Sequence, residues 1–487
     1  MNRFIELKPQ ALWSYFSEIC KIPRISKHEE KIRTWLIKFA LDNNLEHKED
    51  QTGNILIVKN PSPGMEGRKT VILQSHLDMV GEKNSDHSHD WMNDPVIPIF
   101  GNEWVTADGT TLGADDGIGI AAQMAILTDA TLKTGKVECL FTVDEESGMT
   151  GALNLQHGFF EGNILINLDS EDEGILYIGC AGGTDSIGTF KFQTTAIPKG
   201  YTTFEIAITG LTGGHSGDEI HKELANSIKL LSRHLTTIAE SCNAMIATFN
   251  GGNLRNAIPR ESFAIVAVPA KNESKLKLET ETFLNLAKNE FSLTDPGLTV
   301  TISKKEFPGE VMIQADSRRL LDMLNACPHG VLAWSEEMKG LVETSTNLAS
   351  VKFRSNSTIE VVTTQRSSKE SGKKYASDLI EALMVPFGGT VTHSDGYPGW
   401  TPNLNSPILR ATTETYKGLF NTNPEVMAIH AGLECGIFYE KFPGIDMISF
   451  GPTIKGAHTP EERINIESAD KFWKLLTALL EKVPEKS

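Results

Sequence analysis

Cysteine is scarce and scattered in this chain. Six occur among 487 residues, at Cys20, Cys139, Cys180, Cys242, Cys327 and Cys435, and no two stand in a C-x-x-C spacing. That argues against a disulfide scaffold and against a thiolate zinc site, and leaves six reduced, mostly buried thiols as the expectation. Long apolar runs are missing as well. No stretch approaches the roughly 18 apolar residues that a membrane-crossing helix requires. Residues 1–13 contain no apolar segment of the kind found in a secretory leader. Positive charge is in deficit: 46 Lys and Arg against 63 Asp and Glu give a formal net charge of −17. Such a surface repels phosphate backbones, which argues against a nucleic-acid partner. A cytoplasmic protein without membrane attachment is the expectation.

What is present is ordinary globular material, 40% hydrophobic and 22% charged, in a chain long enough for two to four domains. Residues 9–20 and 27–41 carry helical apolar spacing. Short apolar runs at 54–58, 70–74, 137–143 and 164–168 are each bounded by Gly, Asn, Asp or Pro, as buried strands of an α/β sheet are. A helix is predicted at 117–129. From about residue 187 the style changes. Strand candidates at 203–210, 262–268, 298–303, 344–353 and 357–363 alternate more, as in an antiparallel α+β region, with helices predicted at 219–240, 276–290 and 368–384. The first style returns after the loop 393–407, with a helix at 407–419, a strand at 446–450 and a terminal helix at 468–483. The expected fold class is therefore α/β, with a mixed sheet flanked by helices. Residues 1–186 and 396–487 form a discontinuous catalytic domain, and an α+β domain is inserted at 187–395. No sequence repeat or low-complexity tract is found.

The chemistry gathers where the first-style strands end. The strand at 70–74 runs into His76 and Asp78. The one at 137–143 runs into Asp144, Glu145 and Glu146. The one at 164–168 runs into Asp169, and the one at 446–450 into a Gly-Pro loop holding His458. Open α/β sheets bind ligands at the carboxyl ends of their strands, so these groups converge on one edge, joined by Asp115. Oxygen and nitrogen donors without sulfur suit Zn²⁺, Mn²⁺ or Co²⁺ in a hydrolytic site. Two histidines and several carboxylates exceed what one tetrahedral ion takes, which suggests two ions sharing a carboxylate.

The segments Ser75-His76-Leu77-Asp78, Gly113-Ala114-Asp115-Asp116-Gly117, Asp144-Glu145-Glu146-Ser147-Gly148, Ile166-Asn167-Leu168-Asp169-Ser170 and Gly456-Ala457-His458-Thr459-Pro460 resemble, in order, the M20 family of co-catalytic zinc peptidases. The likeness is greatest to its aminoacyl-histidine dipeptidase branch. It continues through Gly213-Gly214-His215-Ser216-Gly217, the segment 253–259 and the segment 430–436, and so covers essentially the whole chain.

The resemblance implies a dipeptidase for unblocked L-dipeptides, including Xaa-His types such as carnosine. It implies two divalent ions, zinc foremost with cobalt or manganese as substitutes. His76 and Asp169 would hold one ion, Glu146 and His458 the other, and Asp115 would bridge them. Asp78 would fix the His76 tautomer and Glu145 would be the general base. His215 would stabilise the oxyanion, from its own subunit or from a partner's. Asn256, Arg366 and Gly432 would bind the substrate carboxylate. The inserted domain would act as lid and dimer surface, in a homodimer.

Several alternatives stay open at this point. Asp116 could take the bridging role in place of Asp115. His215 could sit in a simple turn, and Arg255 could hold the carboxylate instead of Arg366. The tasks of Asp144, His430 and Glu434 are open, and the latter two could be structural. His87 and His89 read as surface. An N-acyl-amino-acid deacylase would use the same metal centre. A non-catalytic metal-binding or ligand-sensing protein would have lost Glu145 or a ligand, and none is missing.

Overall fold

The computed structural model describes residues 7–354 and 357–485. Residues 1–6 of the stretch expected to lack a leader lie outside the described residues. The chain forms two compact units. The first is Met1–Gly179 with Trp400–Ala428 and Leu433–Ser487; the second is Cys180–Gly399 with Ile429–Gly432. That last short segment lies within the part that the sequence assigns to the first domain.

The first unit is built on an eight-stranded mixed sheet. Its spatial order is Glu46–Glu49, Ile55–Lys59, Val137–Thr142, Val71–His76, Ile164–Asn167, Asp446–Ser449, Ile175–Cys180 and Glu425–Ile429. The middle four strands run parallel. Val71–His76, Val137–Thr142 and Ile164–Asn167 are buried at every residue, which is why they read as mostly apolar runs rather than alternating ones. Ile55–Lys59 and Glu46–Glu49 continue the sheet antiparallel. The helix predicted at 117–129 is Ala114–Thr128, but Asp115 and Asp116 have non-helical backbone angles. Regular helix therefore begins just past the acidic pair.

The second unit holds two copies of one topology. Tyr201–Thr209, Ser227–Cys242, Met245–Gly251, Ser262–Pro269, Glu273–Glu290 and Thr299–Lys304 follow a β-α-β-β-α-β order. So do Gly182–Lys191, Gln314–Ala326, Val342–Arg354, Thr358–Ser367, Glu370–Met384 and Gly389–His393. The first motif is inserted between the first strand and first helix of the second. Numbering the strands of each motif 1 to 4, the shared antiparallel sheet reads 4-1-3-2 followed by 2-3-1-4. The motifs meet where Met245–Gly251 pairs antiparallel with Val342–Arg354. Helices and sheet bury one core, including Phe204, Ile206, Leu231, Leu235, Phe249 and Val266.

The helix predicted at 219–240 is a correction. A short 3-10 turn, Ile220–Lys222, stops at Glu223, whose φ is 55°. The helix proper is Ser227–Cys242, started by Asn226, whose side-chain oxygen accepts the N–H groups of Ile228 and Lys229. Apolar spacing runs through both pieces, so periodicity alone could not mark the break.

Candidate metal centre

The four parallel strands end side by side, and the residues just past their ends meet at that edge. His76 is the last residue of its strand. Glu145 and Glu146 open a four-residue helical turn after Asp144, which has a φ of 53°. The loop carrying His458 leaves its strand through Gly451. A Cβ there would stand 1.7 Å from the carbonyl oxygen of Ser170, so only glycine lets this loop lie against the one that follows Asp169.

His76 Nε2 stands 3.0 Å from Asp115 Oδ1 and 3.2 Å from Asp169 Oδ1. His458 Nε2 stands 3.2 Å from Asp115 Oδ2 and 2.9 Å from Glu146 Oε2. Asp115 thus turns one oxygen to each imidazole. Asp116, joined to it by a cis peptide, accepts the N–H of Gly119 at 3.1 Å on its Oδ1, while its Oδ2 is buried with no hydrogen-bond partner among the described residues. Asp78 lies beneath the group. Its Oδ1 is 3.5 Å from His76 Nδ1, and its carboxylate accepts the backbone N–H groups of Glu145 and Glu146 at 3.0 and 3.1 Å. One buried side chain therefore orients both the imidazole and the acidic turn.

Burial pushes the carboxyls of Asp169, Glu145 and Glu146 up, and their acidic neighbours push in the same direction. Asp115 is also buried, but the two histidines hold its carboxyl well below the usual range. Burial would lower the His76 imidazole, yet Asp169, Asp115 and Asp78 raise it well above its ordinary value. His458 is pushed up to about 11 by its hydrogen bonds to Asp115 and Glu146. The cluster thus holds more negative charge than its imidazoles offset. Ligand atoms of Asp115, Glu146 and His458 lie within 4.8 Å of one another, as do those of His76, Glu145 and Glu146, and those of His76, Asp116 and Asp169. Donor chemistry, crowding and surplus charge all fit a pair of divalent cations.

Two residues that shape this centre carry no mark in the sequence reading. Glu462, only 2% exposed, accepts four consecutive backbone N–H groups. Its Oε2 takes those of Leu112 and Gly113 at 2.8 and 3.0 Å, and its Oε1 those of Ala114 and Asp115 at 2.7 and 3.3 Å. Arg24, also 2% exposed, donates to the carbonyls of Leu77 and Asp78 at 2.9 and 2.6 Å and to that of Gly113. The pair clasps the Asp115 loop through its amides and carbonyls. A hint was available for Glu462, which follows His458 by four residues. Arg24 left none.

The candidates for binding the substrate lie in the second unit. His215 and Asn256 are brought side by side, because Gly214–His215 pairs with Ala257–Ile258 and Ser216 N–H donates to Asn256 O at 2.8 Å. His215 Nδ1 is 3.3 Å from Asp218. Arg366 is buried at 6% exposure, and its hydrogen bonds go to hydroxyls: Ser216 Oγ at 3.4 Å and Tyr397 Oη at 2.7 Å. Arg255 is exposed and paired with Asp185 at 3.0 Å. His430 Nε2 meets Ser345 Oγ at 2.7 Å, while its Nδ1 has no partner among the described residues. Burial and the nearby Arg366 push His430 down to about 3. Gly432 closes the short segment Ile429–Gly432 of the same unit. His87 is half-buried and stacks with His89 in a polar loop.

Parallel strands that end in a sulfur-free cluster of histidines and carboxylates define a hydrolase-type metal centre on an α/β sheet. The chain belongs to peptidase family M20/M25/M40, whose model matches residues 72–482. It is 44% identical over 486 residues to the cytosol non-specific dipeptidase of Escherichia coli (strain K12), covering 100% of each chain. The structure is similar to that of the aminoacylhistidine dipeptidase of Vibrio alginolyticus, with a TM-score of 0.89, 42% identity and 99% of each chain covered. Human carnosine dipeptidase 1 shares the fold at a TM-score of 0.51 and 12% identity, over 99% of this chain and 97% of that one.

Proposed function

We propose that the protein hydrolyses the single peptide bond of unblocked L-dipeptides, Xaa-His dipeptides such as carnosine among them. The observation that carries this reading is the arrangement around Asp115, which turns one oxygen to His76, itself 3.2 Å from Asp169, and the other to His458, itself 2.9 Å from Glu146. Its setting is a chain matched end to end by a dipeptidase. His76, Asp169 and Asp115 would hold one divalent ion, and Glu146, His458 and Asp115 a second. Zinc is the first choice, with cobalt or manganese as substitutes. Such a pair polarises a carbonyl and lets water ionise near neutral pH.

The protein's own groups do the rest. Glu145 takes the proton from the attacking water on a carboxylate oxygen and returns it to the leaving amine nitrogen. Asp78 accepts the Nδ1–H of His76, which leaves Nε2 to bind. His215 donates to the oxyanion. Arg366 donates to the hydroxyls of Ser216 and Tyr397, and with Asn256 and the Gly432 backbone it receives the substrate's free carboxylate. An arginine fork matches a carboxylate in two bonds, and Arg255 is already engaged by Asp185. The bridge is assigned to Asp115 because it meets both histidines, whereas Asp116 Oδ1 is taken up by the Gly119 N–H. The second unit would serve as lid and as the surface on which two copies pair, and the protein would work in the cytoplasm.

A turnover panel with metal-defined enzyme tests this. Free dipeptides should be cleaved far faster than N-acetyl or N-succinyl amino acids. The reverse preference would make the protein a deacylase with the same centre.

A further inference from the structure

Glu434 opens the helix Glu434–Lys441 and is fully buried, with 0% exposure. Its Oε2 accepts from Gln74 Nε2 at 2.6 Å and from Thr142 Oγ1 at 2.7 Å. Gln74 precedes His76 by two residues on the same strand, so both side chains share one face of the sheet. Thr142 is the register partner of His76 on the neighbouring strand. The Glu434 carboxyl therefore lies on the floor of the metal centre, and its negative charge is felt at Glu145. It is held there by a row of side chains that crosses the strand ends. Asn167 Nδ2 donates to Gln74 Oε1 at 2.6 Å, and Ser449 Oγ donates to Asn167 Oδ1 at 2.5 Å.

With one oxygen fixed in this way, the other is left over. Oε1 of Glu434 is buried and has no hydrogen-bond partner among the described residues. A buried carboxyl oxygen calls for a donor, and the ionisable groups around it are mostly acids. The donor a dipeptide brings, and an N-acyl amino acid does not, is its α-ammonium group. That nitrogen is one Cα away from the scissile carbonyl carbon, so its receptor must stand next to the residue that activates water. Glu434 lies near enough for its charge to act on Glu145, and it is bonded to Thr142, three residues before Glu145 on the same strand and turn.

We propose that Glu434 Oε1 receives the substrate's α-ammonium group and makes this site select unblocked dipeptides. The inference rests on the dipeptidase reading above and assigns one residue to the amine end of the substrate. It accounts for a carboxyl that the metal ions do not need, set deep in the sheet with half its hydrogen-bonding capacity unused.

The test compares alanyl-alanine with propionyl-alanine, which differ only in the amine, on the wild type and on Glu434→Gln, each with its metal content measured. The wild type should prefer alanyl-alanine by roughly 10⁴-fold in kcat/KM, as a site built around a polar group does. In Glu434→Gln this preference should shrink about 100-fold, mainly through a higher KM for alanyl-alanine, with propionyl-alanine turnover changed far less. A merely structural role would slow both substrates alike and keep the ratio, and that result overturns the inference. Should Glu434→Gln fail to fold, Glu434→Asp carries the same comparison: its retracted carboxylate should shrink the ratio about 10-fold, and an unchanged ratio again overturns the inference. If the wild type cleaves no dipeptide, the functional reading itself falls. If it does and the ratio survives substitution, only the role of Glu434 falls.

Discussion

Glu462 shows how much of a metal centre can rest on backbone groups. Its carboxylate takes the four amides from Leu112 to Asp115, so Asp115 is aimed by its own main chain as well as by the two histidines. Glu462→Gln would turn an amide N–H₂ toward some of those N–H donors. The expected result is a fall in metal affinity of roughly 10- to 100-fold, measured by competition with a chromogenic chelator. Unchanged affinity would mean that the loop holds its shape without this clasp. Glu145→Ala should behave in the opposite way: turnover abolished, metal binding retained. At this scale the sequence was informative wherever function sits in side chains next to strand ends, as with His76, Asp169 and His458. It was silent on Arg24 and nearly so on Glu462, because both act on amides and carbonyls, which no side-chain pattern marks. It could not rank Asp115 against Asp116 from composition. The difference is one of direction, one carboxylate facing two imidazoles and the other capping a helix.

The elements of the first unit were legible because strands buried on both faces leave short, mostly apolar runs, and each was punctuated by turn residues. The second unit was harder. The helix Gln314–Ala326 was not foreseen: its hydrophobic residues are few, and only Ser317, Leu320, Leu321, Met323 and Leu324 are buried. The start of Ser227–Cys242 was misplaced because a 3-10 turn carries similar spacing ahead of it.

That helix also carries a pH liability. His234 is 0% exposed, stacks on Phe283 at 4.8 Å and is pushed down to about 4 by burial. The fold keeps it neutral, while the unfolded chain takes up a proton below about 6.5. Its contribution is therefore fully present above pH 6.5 and is lost as the pH falls from there toward 4. The gap between about 4 in the fold and 6.5 in the unfolded chain corresponds to about 3 kcal/mol. Urea unfolding followed across this window should show stability dropping with acid, and His234→Leu should flatten that limb. An equally steep limb in the variant would place the acid sensitivity elsewhere.

At the scale of the whole molecule, the two-style division seen in the sequence has a physical basis: parallel strands shielded on both faces in one unit, antiparallel strands backed by helices in the other. The duplication inside the second unit was invisible because the two motifs share topology rather than residues, and one is threaded into the other between a strand and a helix. All six cysteines are buried and none forms a disulfide, and among the described residues no helix is long and apolar enough to cross a membrane. The donors assigned to the two ions come from widely separated parts of the polymer, gathered by one sheet, and that gathering is the central claim. It is tested most directly by stripping the protein with chelator and titrating zinc back while following dipeptide turnover. Activity should be absent at the start and should reach its plateau at two equivalents per chain; full turnover in the metal-free protein, or saturation without any bound metal, would contradict the account.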